Sequence, residues 1–182
     1  MRNNEAYISN LKAWNLDDLV DHVMNTHHAY LKANYPLIHQ LMDKLIVQEP
    51  TNSIAKKIKS LFSEFTDDLA RHLIKEEEIL FPYFKRLGQI NDKASFEPAS
   101  FGSLPKPIEM MENEHDDSHD TLEQIRKVTN NYTPPEGASP VVHSLYYKLK
   151  EFESDMDIHH ELENEILFVK AQEIEEQFEG KK

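Results

Sequence analysis

The chain repeats one arrangement of histidine and glutamate in a single register, 87 positions apart. The segment HLIKEEEILF, which begins at His72, is matched by HHELENEILF, which begins at His159. His28 and His115 are separated by the same interval. Chance histidines would not keep one offset across separate pairs, so the chain contains an internal duplication. Its fold therefore has to place two copies of one unit in equivalent surroundings.

Each copy of the unit is predicted to consist of two helices. Apolar residues recur at intervals of three and four along four stretches with almost no glycine, which indicates amphipathic helices. These stretches cover about 16–47, 53–86 and 107–129, and the fourth begins at Ser139-Pro140. No strand-like alternation of any length occurs. The prediction is an all-α, up-down-up-down four-helix bundle built from a duplicated two-helix unit.

The bundle is expected to occupy most of the chain. We expect residues 1–15 to form an N-terminal extension, residues 16–175 the bundle and residues 176–182 a C-terminal tail. Asn15 is a candidate N-cap for the first helix.

The repeated histidine and glutamate are four residues apart, so both side chains lie on one face of a helix, and that face is apolar. The first and third helices each add one histidine on their apolar stripes. A buried carboxylate costs on the order of several kcal/mol unless it is paired or bound to metal. Two metal ions would resolve this, each held by two histidines, with both carboxylates bridging. The candidate ligands are His28, His72, Glu76, His115, His159 and Glu163.

The composition limits which metals and which classes of partner the chain is expected to bind. The chain has no cysteine, which excludes thiolate sites and disulfides, and nitrogen and oxygen ligands suit iron or manganese. There are 33 acidic residues against 20 lysines and arginines, a formal net charge of −13, which argues against nucleic acid and anionic membranes as partners. No apolar run reaches membrane-spanning length and the N-terminus is too polar for a signal peptide, so we expect a cytoplasmic protein.

Four stretches of the chain resemble hemerythrin-like di-iron proteins, and more closely the repair-of-iron-centres family of bacterial iron–sulfur cluster repair proteins. They are THHAYLKANYPLI, HLIKEEEILFP, MENEHDDSHDTLEQIRKVTNNYTPPEGA and HHELENEILF. The resemblance implies the same six ligands, and two non-heme iron ions bridged by an oxo group and by carboxylates. It implies a role in repairing clusters damaged by nitric oxide or oxidative stress. O2 and NO would bind at the metal site, and iron–sulfur proteins would be the recipients. It further implies that Asp68 and Glu114 contact the ligands or line an access route.

The chain departs from that family in three respects, one of which is Glu49, at a place where many members have a histidine 21 residues after the first ligand. We expect it to lack the short cysteine-bearing N-terminal domain of full-length members. His119 forms a His-x-x-x-His pair with His115, a spacing closer to true hemerythrins, and is a candidate fifth histidine ligand. The repeat gives His119 no histidine partner, because position 32 is lysine.

The sequence leaves the activity open. Cluster repair is the first hypothesis. The alternatives are a protein that binds or senses O2 or NO, and a di-iron enzyme that reduces NO or peroxide. His27 and His160, each next to a predicted ligand, are expected to point about 100° off the apolar stripe, and Glu77 is expected on a solvated face.

Overall fold

The computed structural model describes residues 7–8, 10–90 and 96–179. Most of these residues lie in four long helices. In three of them a short π-helical segment lies between two α-helical ones. Helix α1 comprises Leu16–His22, the π-helical Val23–His28 and Ala29–Gln48; α2 comprises Ser53–Lys75, the π-helical Glu76–Leu80 and Phe81–Gly88; α3 is Pro105–Val128; and α4 comprises Pro140–Leu162, the π-helical Glu163–Leu167 and Phe168–Glu179.

Local signals in the sequence explain where these helices begin. The side chain of Asn15 accepts a hydrogen bond from the backbone N–H of Asp18 at 2.8 Å and so caps α1, as predicted. Asn52 caps α2 in the same way through the backbone N–H of Ala55, at 2.9 Å. Proline occupies the first position of α3 and of α4. A backbone N–H at this position has no acceptor within the helix, so its absence in proline costs no hydrogen bond.

The helices pack as an up-down-up-down bundle, which confirms the predicted fold class. In α1 the segment Leu16–His22 lies against Phe81–Gly88 of α2, and Ala29–Gln48 lies against Ser53–Lys75, so the two helices are antiparallel. The first segment of α4 packs on the last segment of α1, and α3 packs on the first segment of α2. Within the described ranges, every helix falls short of the uninterrupted apolar length that a membrane crossing requires.

The duplication is visible in the backbone. Helices α2 and α4 begin at Ser53 and Pro140, and their π-helical segments begin at Glu76 and Glu163, in both cases 87 positions apart. The third π-helical segment, Val23–His28, has no such counterpart, because α3 is α-helical throughout. π-Helical turns are rare in proteins, and those that occur are often found at functional sites. Here they carry candidate ligands at one end.

The apolar core is divided into two clusters by a polar layer. One cluster is built around Phe62 and the other around Phe84. Along α2, Leu73 belongs to the first cluster and Leu80 to the second, and Glu76 lies between them. Burying a large apolar side chain stabilises a fold by about 1.5–3 kcal/mol. The two clusters can therefore hold a dry polar layer between them.

The predicted N-terminal extension and C-terminal tail lie partly outside the described residues. Within the extension, Ile8 and Leu11 are buried in the same cluster as Phe84. Helix α4 continues to Glu179, into the stretch expected to be the tail.

Candidate metal centre

The six candidate ligands meet in two groups in the polar layer between the apolar clusters. In each group, one potential ligand atom of every residue lies within 4.8 Å of the others. All six residues are at most 5% exposed. Site A consists of His28, Glu76, His159 and Glu163, and site B consists of His72, Glu76, His115 and Glu163.

Glu76 divides its two carboxylate oxygens between the sites. Its Oε2 lies 3.3 Å from Nε2 of His28 in site A, and its Oε1 lies 3.3 Å from Nε2 of His72 in site B. The second contact follows from the sequence, since His72 and Glu76 are one helical turn apart. The first contact depends on how α1 packs against α2.

Glu163 repeats this division from the opposite helix. Its Oε1 lies 3.0 Å from Nε2 of His159 in site A, and its Oε2 lies 3.4 Å from Nε2 of His115 in site B. Both carboxylates therefore span the two sites, as a pair of bridging ligands would.

The orientation of these groups fits a bound cation better than it fits hydrogen bonding. The two imidazoles of each site point their Nε2 atoms at each other, 3.2 Å apart in site A and 3.1 Å in site B. None of the four buried oxygens of Glu76 and Glu163 has a hydrogen-bond partner of acceptable geometry among the described residues. Buried polar atoms are rarely left in this state. Nitrogen and carboxylate oxygen atoms that converge on one volume are the donor set of a dinuclear metal centre.

In the metal-free protein, protons take the place of positive metal charge. Burial lowers the pKa of His28, but its contacts with Glu163 and Glu76 outweigh burial and raise it to about 10. Burial likewise lowers the pKa of His72, while the charge of Glu76 and the hydrogen bond to Glu114 raise it to about 10. Burial raises the pKa of Glu76, but the charge of His72 and the contact with His28 hold it well below its ordinary value. Metal ions would compete with these protons.

Comparison with known proteins agrees with this geometry. Residues 19–171 match the Hemerythrin HHE cation binding domain. The chain belongs to the hemerythrin family. It is also similar to the iron-sulfur cluster repair protein YtfE of Escherichia coli O157:H7 and to that of Citrobacter koseri, with 32% identity over 158 residues in each case. These residues are 86% of the chain and 66% of each relative, so the chain spans about two thirds of the length of those relatives.

Of the two acidic residues that the resemblance singled out, Glu114 reaches the centre of this hemerythrin domain directly. It accepts a hydrogen bond from Nδ1–H of His72 at 2.8 Å and is also bonded by Lys75. The hydrogen bond to His72 lowers the pKa of Glu114 to about 2, helped by Lys75 and opposed by burial. Asp68 is exposed, but with His72 and Glu114 it lines a cavity of about 340 Å³ between α2 and α3. Of the four residues of site B, His72 lines this cavity.

Sequence reasoning missed two partners of the ligands. Nδ1–H of His28 donates to Glu77 at 2.7 Å, and Lys32 in turn bonds Glu77 at 2.6 Å. The expectation that Glu77 lies on a solvated face is therefore wrong. Nδ1–H of His115 donates to Asn164 at 2.8 Å. The missed signal was the repeat itself, because Glu77 and Asn164 are 87 positions apart.

Two further histidines lie closer to the sites than predicted. His27 is 3% exposed, and its ring is parallel to that of His159, with centroids 5.5 Å apart. His160 stacks on His115, with centroids 3.9 Å apart. Neither side chain points away from the polar layer, contrary to the expectation from a regular α-helical stripe.

His119, the candidate fifth ligand, lies elsewhere. It is exposed on α3 and belongs to neither group in the described part of the chain. Its counterpart in the repeat, Lys32, is also exposed, and it bonds Glu77. The geometry therefore offers His119 no support as a ligand.

Proposed function

We propose that sites A and B hold two iron ions, bridged by both carboxylates and an oxo group, and that the protein takes part in repairing iron–sulfur clusters damaged by nitric oxide or oxidants. The observation that carries the proposal is the division of the oxygens of Glu76 and Glu163 between the two sites. Histidine nitrogen and carboxylate oxygen suit iron. Similarity to proteins named for iron–sulfur cluster repair supports the proposed role in repair.

The residues around the centre suit either release of iron or capture of a small molecule. Each site has two imidazoles and two carboxylate oxygens, which leaves positions for exchangeable ligands on a six-coordinate ion. Iron bound there would supply those open positions and a ready change of oxidation state. Glu77 and Glu114 hold the N–H groups of His28 and His72 in place and raise the basicity of both imidazoles. The two apolar clusters pack on either side of the ligands, which are at most 5% exposed.

Metal content tests the centre first. The iron-loaded protein should carry about two iron ions per chain, and His72→Ala should lose the iron of site B, because it removes one of only two imidazoles there. His119→Ala is the matched control, since it removes an exposed histidine from α3. Full occupancy in His72→Ala would contradict the ligand assignment.

Cluster repair is tested with a hydratase whose [4Fe–4S] cluster has been damaged by nitric oxide. The iron-loaded protein should restore activity faster than an equal amount of free ferrous iron, and His72→Ala should do no better than free iron. Recovery that never exceeds that given by free iron would exclude the repair role while leaving the metal centre intact.

Reversible binding of O2 or NO is a second candidate function, favoured by the cavity that leads to His72. The optical spectrum of the reduced protein separates the two functions. A new absorption band that forms with the gas and disappears on its removal supports a binding role. Irreversible oxidation in a single step counts against it.

A further inference from the structure

The cavity beside site B corresponds, through the repeat, to a region beside site A with different side chains. Helices α1 and α4 meet there as α2 and α3 meet around the cavity, and the residues correspond at the offset of the repeat. Phe65, Asp68, His72, Glu114 and Asp117 of the cavity correspond to Phe152, Asp155, His159, His27 and Tyr30. Larger side chains thus stand at two of the positions that border the cavity.

His27 occupies the place that Glu114 has in the other half. Glu114 accepts the hydrogen bond from Nδ1–H of His72. His27 lies against the ring of His159, parallel to it within 2°. Its own Nδ1–H donates to the carboxylate of Asp155 at 3.2 Å. The side chain at this position is therefore buried, anchored and next to the equivalent ligand.

Complementary atoms remain unpaired around this ring pair. With Nε2 of His159 facing site A, its Nδ1 carries the proton, and this buried atom has no hydrogen-bond partner among the described residues. With Nδ1–H of His27 directed at Asp155, its Nε2 carries a lone pair, and it too is buried and unpaired. One donor and one acceptor are thus left on neighbouring rings. Ordered water usually links such groups.

We propose that His27, anchored by Asp155, is the positioning residue of His159 and acts through one ordered water molecule. The water accepts from Nδ1–H of His159 and donates to Nε2 of His27. It fixes the tautomer and the ring orientation of His159, as Glu114 does for His72. This inference rests on the metal centre proposed above.

The charge balance explains why a histidine stands at this position. Glu114 is accompanied by Lys75, whose ammonium group offsets its charge. The position equivalent to Lys75 is Leu162, which is fully buried. A carboxylate at position 27 would therefore lack that cation, whereas a neutral imidazole accepts a hydrogen bond without adding charge.

The test uses the full chain loaded with Co(II), whose paramagnetism moves the N–H protons of ligand imidazoles away from the rest of the NMR spectrum. The Nδ1–H signal of His159 should exchange slowly with solvent in the wild type. In His27→Phe, which keeps an aromatic ring but removes the acceptor, exchange should be at least about tenfold faster. Co(II) affinity, measured against a competing chelator, should fall about tenfold.

Two variants make the result specific. His27→Gln should restore slow exchange and keep affinity within about threefold of the wild type, because an amide oxygen accepts from His159 as Asn164 does from His115. His160→Phe is the matched control: it also replaces an imidazole stacked on a ligand, but Nδ1 of that ligand is already held by Asn164. It should change neither quantity. Asp155→Asn provides a milder second measurement if His27→Phe does not fold, and it should accelerate exchange by a smaller factor.

Two results would overturn the proposal. One is slow exchange and unchanged affinity in His27→Phe, or in Asp155→Asn where that variant has to be used. The other is an equal loss in His27→Phe and His27→Gln, which would assign His27 a role in packing alone. A wild-type protein that fails to bind about two Co(II) ions per chain would contradict the metal centre itself, so the two failures are distinguishable.

Discussion

Sites A and B share two carboxylates and have the same donor set, yet their surroundings differ. A cavity between α2 and α3 borders His72 of site B, and the Glu114 carboxylate holds the same histidine. At the equivalent positions beside site A stand His27, which is buried, and Tyr30, which is partly buried. The duplication has therefore kept the residues that face a metal and changed those behind them. Coordination tolerates few side chains, whereas a hydrogen-bond partner can be a carboxylate, an amide or an imidazole.

A second contrast runs between the two halves of the chain. The histidines of the N-terminal unit, His28 and His72, both donate to carboxylates. In the C-terminal unit His115 donates to the amide of Asn164, and Nδ1 of His159 has no hydrogen-bond partner among the described residues. Each site contains one histidine from each unit, so the carboxylate support is shared evenly between the two sites.

The largest effect is expected from a residue that the two sites share. Glu163→Ala removes one bridging oxygen from each site, so metal content should fall from about two ions per chain to fewer than about one. Elemental analysis of the purified protein measures this. Glu165→Ala, which changes a neighbouring exposed glutamate, should leave the content unchanged. Loss of one ion with the other fully retained would show that Glu163 serves a single site.

Filling the cavity beside His72 tests whether small molecules reach site B through it. Thr121→Trp places a large ring in the cavity beside site B and should slow the reaction of the reduced protein with NO by about tenfold, which corresponds to about 1.4 kcal/mol in the barrier. Stopped-flow absorbance measures the rate.

The matched control for that experiment is Asn34→Trp, at the equivalent position beside site A. It should leave the rate within about twofold of the wild type, since Asn34 lies outside the cavity that borders His72. Equal slowing by both variants would mean that the two faces admit NO equally.

The dependence of stability on pH should separate the metal-free from the metal-loaded protein. His28 and His72 have pKa values raised to about 10 when no metal is bound. Their stabilising contribution is complete below the unfolded value of about 6.5 and is lost as pH rises towards 10. The melting temperature of the metal-free protein should therefore fall by roughly 5 °C or more over this range.

Metal reverses that trend, because it replaces the protons that the imidazoles lose. The melting temperature of the loaded protein should stay level or rise between pH 6.5 and 9, and metal affinity should increase over the same range. Differential scanning calorimetry of both forms measures the two trends. A metal-free protein that gains stability as pH rises would show that the buried carboxylates are neutralised in some other way.

The smallest effect is expected at Glu77, where the second half of the chain already has an amide. Glu77→Gln should keep the hydrogen bond from His28 and lower metal affinity by less than about threefold, as Asn164 serves His115. Chelator competition measures the affinity. A tenfold loss would show that the carboxylate charge at this position, and not the hydrogen bond alone, holds His28.

Much of the fold follows from the sequence. The first three predicted helices begin and end within about two residues of those observed, and the fourth begins where predicted, because Asn15, Asn52 and Pro140 are strong start signals. The constant offset of the repeat singled out the six residues that the structure brings together. Histidine and glutamate on an apolar face are costly without a partner, so their pattern alone pointed to metal.

The residues around the ligands were not predictable in the same way. A regular α-helical stripe places His27 and Glu77 about 100° away from their neighbours His28 and Glu76. The wider turn of the π-helical segments Val23–His28 and Glu76–Leu80 leaves a smaller angle between neighbours, so both residues of each pair face inward.

The sequence by itself determined the helices, the duplication and the donor types, because these depend on periodicity and on contacts within one turn of a helix. Tertiary structure alone decided which carboxylate oxygen serves which site, that a cavity borders His72, and that His27 stacks on His159. Those features depend on how separate helices pack and on local helical phase, and a pattern within one helix specifies neither.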